Sequence, residues 1–236
     1  MNLILLEPGD LIAPDQACLT GRRLRHVREV HRAEPGQTLR LGMVNGLMGE
    51  GVLLEQSPER LLFSVRLDQP PPPRLPLTLL LALPRPKMLK RILQTVATMG
   101  VRRLVLMNSY RVEKSFWDSP FLQPDAIREE LLLGLEQGRD TVLPEVWLEK
   151  RFKPFVEDRL PALASGGRRL VAHPMAETAC PVALDSAVTL AIGPEGGFIP
   201  YEVDMLAKQG FEPVNLGPRI LRVETAVTAL IGRLFT

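Results

Sequence analysis

Three stretches in the last third of the chain carry residue types that could hold a ligand: Ala172-His173-Pro174, Gly193-Pro194-Glu195-Gly196-Gly197, and residues 216–226, which read LGPRILRVETA. Each follows an apolar run read as a strand, and in open α/β sheets ligands sit outside the carboxyl ends of strands. The GPEGG stretch lacks the Gly-Lys-Ser/Thr ending of a Walker loop and is not a GxGxxG fingerprint. Its glycines let backbone approach a ligand closely. Glu195 would repel a phosphate, but suits ribose hydroxyls or a cationic ligand. The plainer reading is a tight turn, with Pro200 opening the next helix. In the third stretch Gly217 and Pro218 break the chain, Ile220 and Leu221 offer apolar surface, and Glu224-Thr225 begin a helix. Amides at a helix start suit an adenine edge or a carboxylate. Arg219 and Arg222 bring positive charge to the same rim, unless Glu224 or Glu195 pairs with them. His173 is held extended by Pro174; a lone histidine is more often structural, and it is not put forward as a general base.

The elements that must position these loops follow from pattern. LPLTLLLAL (75–83) reads as a buried strand. The next segment, 87–100, puts Met88, Leu89, Ile92, Leu93 and Val96 on one helical face, with Gly100 as a C-terminal stop. RRLVLMNS is the next strand and AIREELLLGLEQ a helix. RRLVAHP and AVTLAIG read as strands, IPYEVDMLAKQG as a helix and FEPVNLG as a last strand. VETAVTALIGRLF closes the chain with Val223, Val227, Leu230, Ile231 and Leu234 on one face. Such alternation predicts an α/β fold with a mostly parallel sheet. Four prolines, Pro70–Pro73, favour a stiff extended linker. The expected domains are therefore 1–69, a linker over 70–76, and 77–236. Before the linker, TLRLGMVNG, MGEGVLLEQ and RLLFSVRLD read as strands of a small β-rich domain, with VNG as a hairpin turn.

Composition narrows the classes. The 236 residues are 45% apolar and 24% charged, ordinary for a globular chain, and no run approaches the ~20 apolar residues of a membrane helix. The start lacks a basic n-region, so the expected location is the cytoplasm. Cys18 and Cys180 form no metal or disulfide pattern, and with three histidines no metal site is expected. Net charge is only +2, but Arg22, Arg23, Arg25, Arg28 and Arg32 crowd into thirteen residues, 20–32, against one acid, Glu29. That cluster, placed on a short helix, is an electrostatic footprint for phosphate, or else a solvated helix face.

LAIGPEGGF (190–198), followed after a helix by LGPRILRVETA, closely resembles the RsmE group of ribosomal RNA methyltransferases, within the SPOUT class. HVREVHRAEPGQTLRLGMVNG resembles the family's N-terminal PUA-like RNA-binding segment, and KMLKRILQTVATMGV and LEQGRDTVLPEV fall in the family's order. Departures are Thr98-Met99 before Gly100-Val101, Val142-Leu143 before Pro144, and Val223 between Arg222 and Glu224. The resemblance implies a C-terminal SPOUT-type parallel sheet tied in a deep trefoil knot, a small N-terminal PUA-like β-barrel, and a homodimer. It implies S-adenosylmethionine as cofactor and N3 of a uridine in 16S ribosomal RNA of the small subunit as target. Carried onto this chain, the cofactor residues are Ala172, His173, Pro174, Gly193, Pro194, Glu195, Gly196, Leu216, Gly217, Ile220, Leu221, Arg222 and Thr225. Arg222, with Arg219 second, is expected to stabilise charge in catalysis. Three alternatives stay open: a non-catalytic RNA-binding assembly factor on the same fold, a methyltransferase for another RNA base, and a nucleotide-binding α/β enzyme.

Overall fold

The computed structural model describes residues 2–235. It divides into two compact units. The first comprises the residues up to Pro73 together with Leu131–Leu143, the second Arg74–Glu130 together with the residues from Pro144 on. Pro70–Pro73 belong to neither helix nor strand.

The first unit is built on strands β1 (Ile4–Leu6), β2 (Leu11–Ala13), β3 (Gln16–Leu19), β4 (Thr38–Met43), β5 (Met48–Gln56) and β6 (Leu61–Gln69), in one sheet of order β1-β4-β5-β6-β3-β2. Only β1 and β4 pair parallel; the other neighbours are antiparallel. In β5, residues 49, 51 and 53 are buried between exposed neighbours, the period-2 signature of a sheet with one wet face. The arginine-rich stretch forms α1 (Gly21–His26) and a π-helical turn, Val27–His31. Leu24 and Val27 are its buried apolar positions, and they join the core with Leu41, Leu53, Leu61 and Phe63, while Val30 stays exposed. The VNG turn closes β4 on β5 with Asn45 at φ +58°, a conformation Asn tolerates better than most side chains. Asn45 N–H donates to Thr141 O at 2.7 Å, and Thr141 Oγ1 to Gly46 O at 2.6 Å. Residues 131–143 thus brace the hairpin, a role no local pattern announces.

The second unit contains β7 (Leu75–Ala82), α2 (Pro86–Thr98), β8 (Val101–Met107) and the first half of α3 (Pro124–Gly138). It continues with β9 (Glu145–Glu149), α4 (Phe152–Pro154), α5 (Leu160–Leu163), β10 (Arg168–Ala172), β11 (Val188–Ile192), α6 (Pro200–Lys208), β12 (Glu212–Val214) and α7 (Val223–Phe235). The sheet order is β12-β10-β11-β7-β8-β9, and every pair is parallel. The six residues 77–82 of β7 and all five of β11 are buried, as expected for central strands covered on both faces. α7 buries Val223, Val227, Leu230, Ile231 and Leu234, the face its spacing predicts. On α2 the buried set is Leu89, Ile92, Leu93, Val96 and Ala97, with Met88 only half-buried. β12 is shorter than the FEPVNLG run suggests, because Asn215 and Leu216 already turn into the following loop. Among the described residues no helix is long and apolar enough to cross a membrane.

Candidate functional site

β10 lies between β11 and β12, and register puts Ala172 opposite both Ile192 and Val214. The three strands therefore end level, and their loops leave the sheet side by side. Parallel pairing makes this possible, since it brings carboxyl ends to one edge. His173 N–H donating to Val214 O at 2.9 Å carries the alignment one residue further.

Each loop is shaped by bonds its own residues supply. In the first, Met175 N–H donates to His173 Nδ1 at 3.3 Å and Ala176 N–H to His173 O at 3.0 Å, so the histidine shapes a turn. In the second, Gly197 takes φ +73°, and its N–H donates to Pro194 O at 2.7 Å. A side chain at Gly193 would bring its Cβ within 2.9 Å of Phe198 N, so the fold itself requires glycine there. In the third, Gly217 (φ +102°) donates its N–H to Asn215 Oδ1 at 2.8 Å, an Asx turn. Asn215 Nδ2 donates to Ala176 O at 2.6 Å and ties the third loop to the first.

Together the loops wall an open cleft of about 670 Å³, its mouth included. Its floor is apolar: Ile192, Val214, Val223, Ala226 and Leu230. Of the residues expected to hold a cofactor, Ala172, His173, Pro174, Gly193, Pro194, Glu195, Leu216, Gly217, Ile220 and Leu221 line it, whereas Gly196, Arg222 and Thr225 do not. Arg219 lines the mouth and Arg222 is exposed close by in the chain. Among the described residues neither arginine makes an ion pair, so the pairing with Glu224 or Glu195 is absent. Glu195 instead faces Arg85 at 3.7 Å. Ile220 stays 81% exposed at the rim, a large apolar side chain left in water beside two unpaired cations.

The loops also have supports that the sequence reading did not single out. Glu202, only 2% exposed, accepts from Ile199 N–H at 3.0 Å, Tyr110 N–H at 2.7 Å and Ser109 Oγ at 3.2 Å. It caps α6 and ties the end of the GPEGG loop to the loop after β8. Arg111 adds a guanidinium hydrogen bond to Gly196 O. The available signal was an acid at the third position of a helix opened by Pro200, a capping pattern. Cys180 is buried, and desolvation pushes its thiol pKa up, leaving an inert packing residue.

The five N-terminal arginines divide. Arg22 forks onto Glu136 at 3.0 and 2.7 Å, and Arg23 binds Asp10, at 2.7 Å through Nη2, and Leu5 O. Arg25, Arg28 and Arg32 are exposed. Among the described residues no group of three metal-ligating side chains occurs.

With this geometry in place, the likenesses to known proteins are informative. A model of the RNA methyltransferase domain family matches residues 71–234. The ribosomal RNA small subunit methyltransferase E of Treponema pallidum (strain Nichols) is 27% identical over 237 residues, spanning 97% of this chain and 88% of that protein. Its namesake in Mycobacterium bovis is 28% identical over 213 residues, spanning 88% and 81%. For the fold, the crystal structure of the Neisseria gonorrhoeae ribosomal RNA small subunit methyltransferase E bound to S-adenosyl methionine superposes with a TM-score of 0.75 at 22% identity, over 98% of this chain and 95% of that one. The chain belongs to the RNA methyltransferase family that this domain model describes, the family of the RsmE proteins.

Proposed function

We propose that the protein methylates N3 of a uridine in 16S ribosomal RNA of the small subunit, with S-adenosylmethionine as the methyl donor. The observation that carries this reading is the cleft itself. It combines an apolar floor, glycine-rich walls and a helix start with two unpaired arginines at or beside its mouth. The donor set fits the cofactor: apolar side chains for the adenine, Glu195 for ribose hydroxyls or the cationic centre, and backbone groups for the amino-acid end. A polyphosphate nucleotide fits less well, because Glu195 lines the cleft and the loop lacks the Gly-Lys-Ser/Thr ending of a Walker loop. The residues that would hold the cofactor are Ala172–Pro174, Gly193–Glu195 and Leu216–Leu221, with Gly196, Arg222 and Thr225 at the margins. When bound, S-adenosylmethionine supplies an electrophilic methyl on a sulfonium sulfur.

The protein's own contribution is positioning and electrostatics. A uracil that gives up its N3 proton to water gains negative charge on its carbonyl oxygens. Arg222, with Arg219 second, would bring positive charge there, since neither is paired with an acid among the described residues. The target base must leave its stack to reach a cleft of this kind. The C-terminal region is, in this reading, threaded and knotted, with residues 178–184 bonded to Asn215 and to the last turn of α7. Cys180 N–H donates to Asn215 O at 2.8 Å, and Leu184 N–H to Leu234 O at 2.6 Å. In this reading the first unit is a PUA-like RNA-binding module, presenting Arg25, Arg28 and Arg32, and the enzyme acts in the cytoplasm as a homodimer. Calorimetric titration with S-adenosylmethionine tests the cleft. Wild type should bind, and Ala226→Phe, which fills the floor, should lower affinity at least tenfold; equal binding by both proteins contradicts the assignment.

A further inference from the structure

In the first unit, Arg40 and Arg139 line one open cavity of about 680 Å³, mouth included, together with His31, Asn2 and Thr38. No acid is among its lining residues. Both arginines are exposed, and among the described residues neither makes an ion pair. Glu50, opposite Arg40 across the β4–β5 pair, does not pair with it. Arg22 and Arg23 on α1 differ: their charges are closed off by Glu136 and Asp10.

The backbone supplies an independent observation. α3 ends with Asp140 N–H donating to Leu135 O at 3.1 Å, the long bond of a Schellman cap, and Arg139 therefore sits at φ +57°. That position favours glycine, yet the chain's glycine, Gly138, stands one residue too early. Asp140 pins the arrangement by accepting from Thr141 N–H at 2.6 Å and Val142 N–H at 3.0 Å. Arg32, next to His31, repeats the pattern at the end of the π-helical turn, with φ +50°. A long cationic side chain kept in a conformation that penalises any side chain argues for a use of that side chain.

We propose that this cavity is an anion site that takes a phosphodiester group of RNA, with Arg139 and Arg40 as its cationic walls and His31 as a further donor. The assignment of RNA, not of the anion, rests on the function proposed above. Guanidinium forks match phosphate oxygens, and contacts of this kind fix register on the nucleic acid without reading its sequence. The test titrates the full chain against a fluorescein-labelled fragment of small-subunit ribosomal RNA over a salt series. Wild type, Arg139→Gly, Arg40→Gln and the double variant are compared. Arg139→Gly relieves the left-handed backbone, so its melting temperature should hold or rise, which separates a lost contact from a lost fold. The double variant should bind about tenfold more weakly near 0.1 M salt, and its slope of log K against log salt should fall by about 1 to 2. Its S-adenosylmethionine affinity should be unchanged. Affinity and slope equal to wild type overturn the proposal. So does arginine-dependent displacement of RNA by millimolar inorganic phosphate at matched ionic strength, which would make free phosphate the ligand. Cofactor binding by a wild type that does not bind RNA overturns the anion site alone. Arginine-dependent RNA binding without any cofactor binding supports the anion site and sinks the methyltransferase reading instead.

Discussion

At the scale of single residues, Glu202 does most for the cleft without lining it. Three donors converge on its buried carboxylate, and removing it leaves them unsatisfied away from water. Glu202→Ala should lower unfolding free energy by about 3 kcal/mol in urea titration, with Glu202→Gln recovering part. The alanine variant should also bind S-adenosylmethionine less well, because Tyr110 and Ile199 lose their common anchor. Arg22 tests the division among the basic residues. Its partner Glu136 has a side chain only 3% exposed, so Arg22→Ala should cost about 2 kcal/mol of stability. Arg25→Ala with Arg28→Ala should leave stability nearly unchanged and weaken RNA binding; the opposite pattern would remove those two from the proposed RNA surface. His26 gives a pH signature. Burial, then nearby positive groups including His31 and Arg22, lowers its pKa below the ordinary 6.5. The folded state thus resists protonation that the unfolded chain accepts. The associated stability is present above pH 6.5 and lost as pH falls through the folded-state value. Melting temperature should drop on acidification below that pH, and less so in His26→Gln.

At the scale of elements, legibility tracked how local each signal was. α7 could be read to the residue, because five apolar positions at helical spacing all go into the core. The parallel β7–β8 pair with α2 between was equally readable from one long apolar run and one stripe. β1, β2 and β9 were not. β1 and β2 are three residues each, and β1 is held by parallel pairing with β4, some 35 residues on. β9, EVWLE, has acids at both ends and lies at a sheet edge, where burial leaves little imprint. Leu230 joins element to site, since it is 1% exposed and also lines the cleft. Leu230→Ala should cost about 3 kcal/mol in denaturant unfolding, the usual effect of a buried leucine truncated to alanine. A loss below about 1 kcal/mol would mean that the α7 face is not packed as described.

At the scale of the whole molecule, the compact units do not follow the chain linearly, which a boundary drawn at the proline run does not convey. Residues 131–143 belong with the N-terminal sheet, and only bonds such as Thr141 Oγ1 to Gly46 O reveal it. Long-range pairing leaves no periodic trace, which is also why the strand order could not be read in advance. The three candidate loops stood out for a different reason. Their glycines and prolines mark turns at strand ends and their arginines add charge beside apolar residues, and ten of the thirteen residues expected to hold a cofactor line one cleft. Of the supports behind them, Glu202 had a local capping signal, whereas the ties from Glu202 to Tyr110, Asn215 to Ala176 and Arg111 to Gly196 join partners distant in sequence.

The cleft, its arginines and the proposed RNA surface converge on methyl transfer to uracil N3. The direct measurement incubates the protein with labelled S-adenosylmethionine and small ribosomal subunits lacking their native N3-methyluridine, followed by nucleoside analysis. Labelled N3-methyluridine should appear with wild type, and at least a hundredfold more slowly with Arg222→Ala, the scale of one lost electrostatic contact in a transition state. Cofactor binding without any labelled uridine, or full turnover by Arg222→Ala, would contradict this reading.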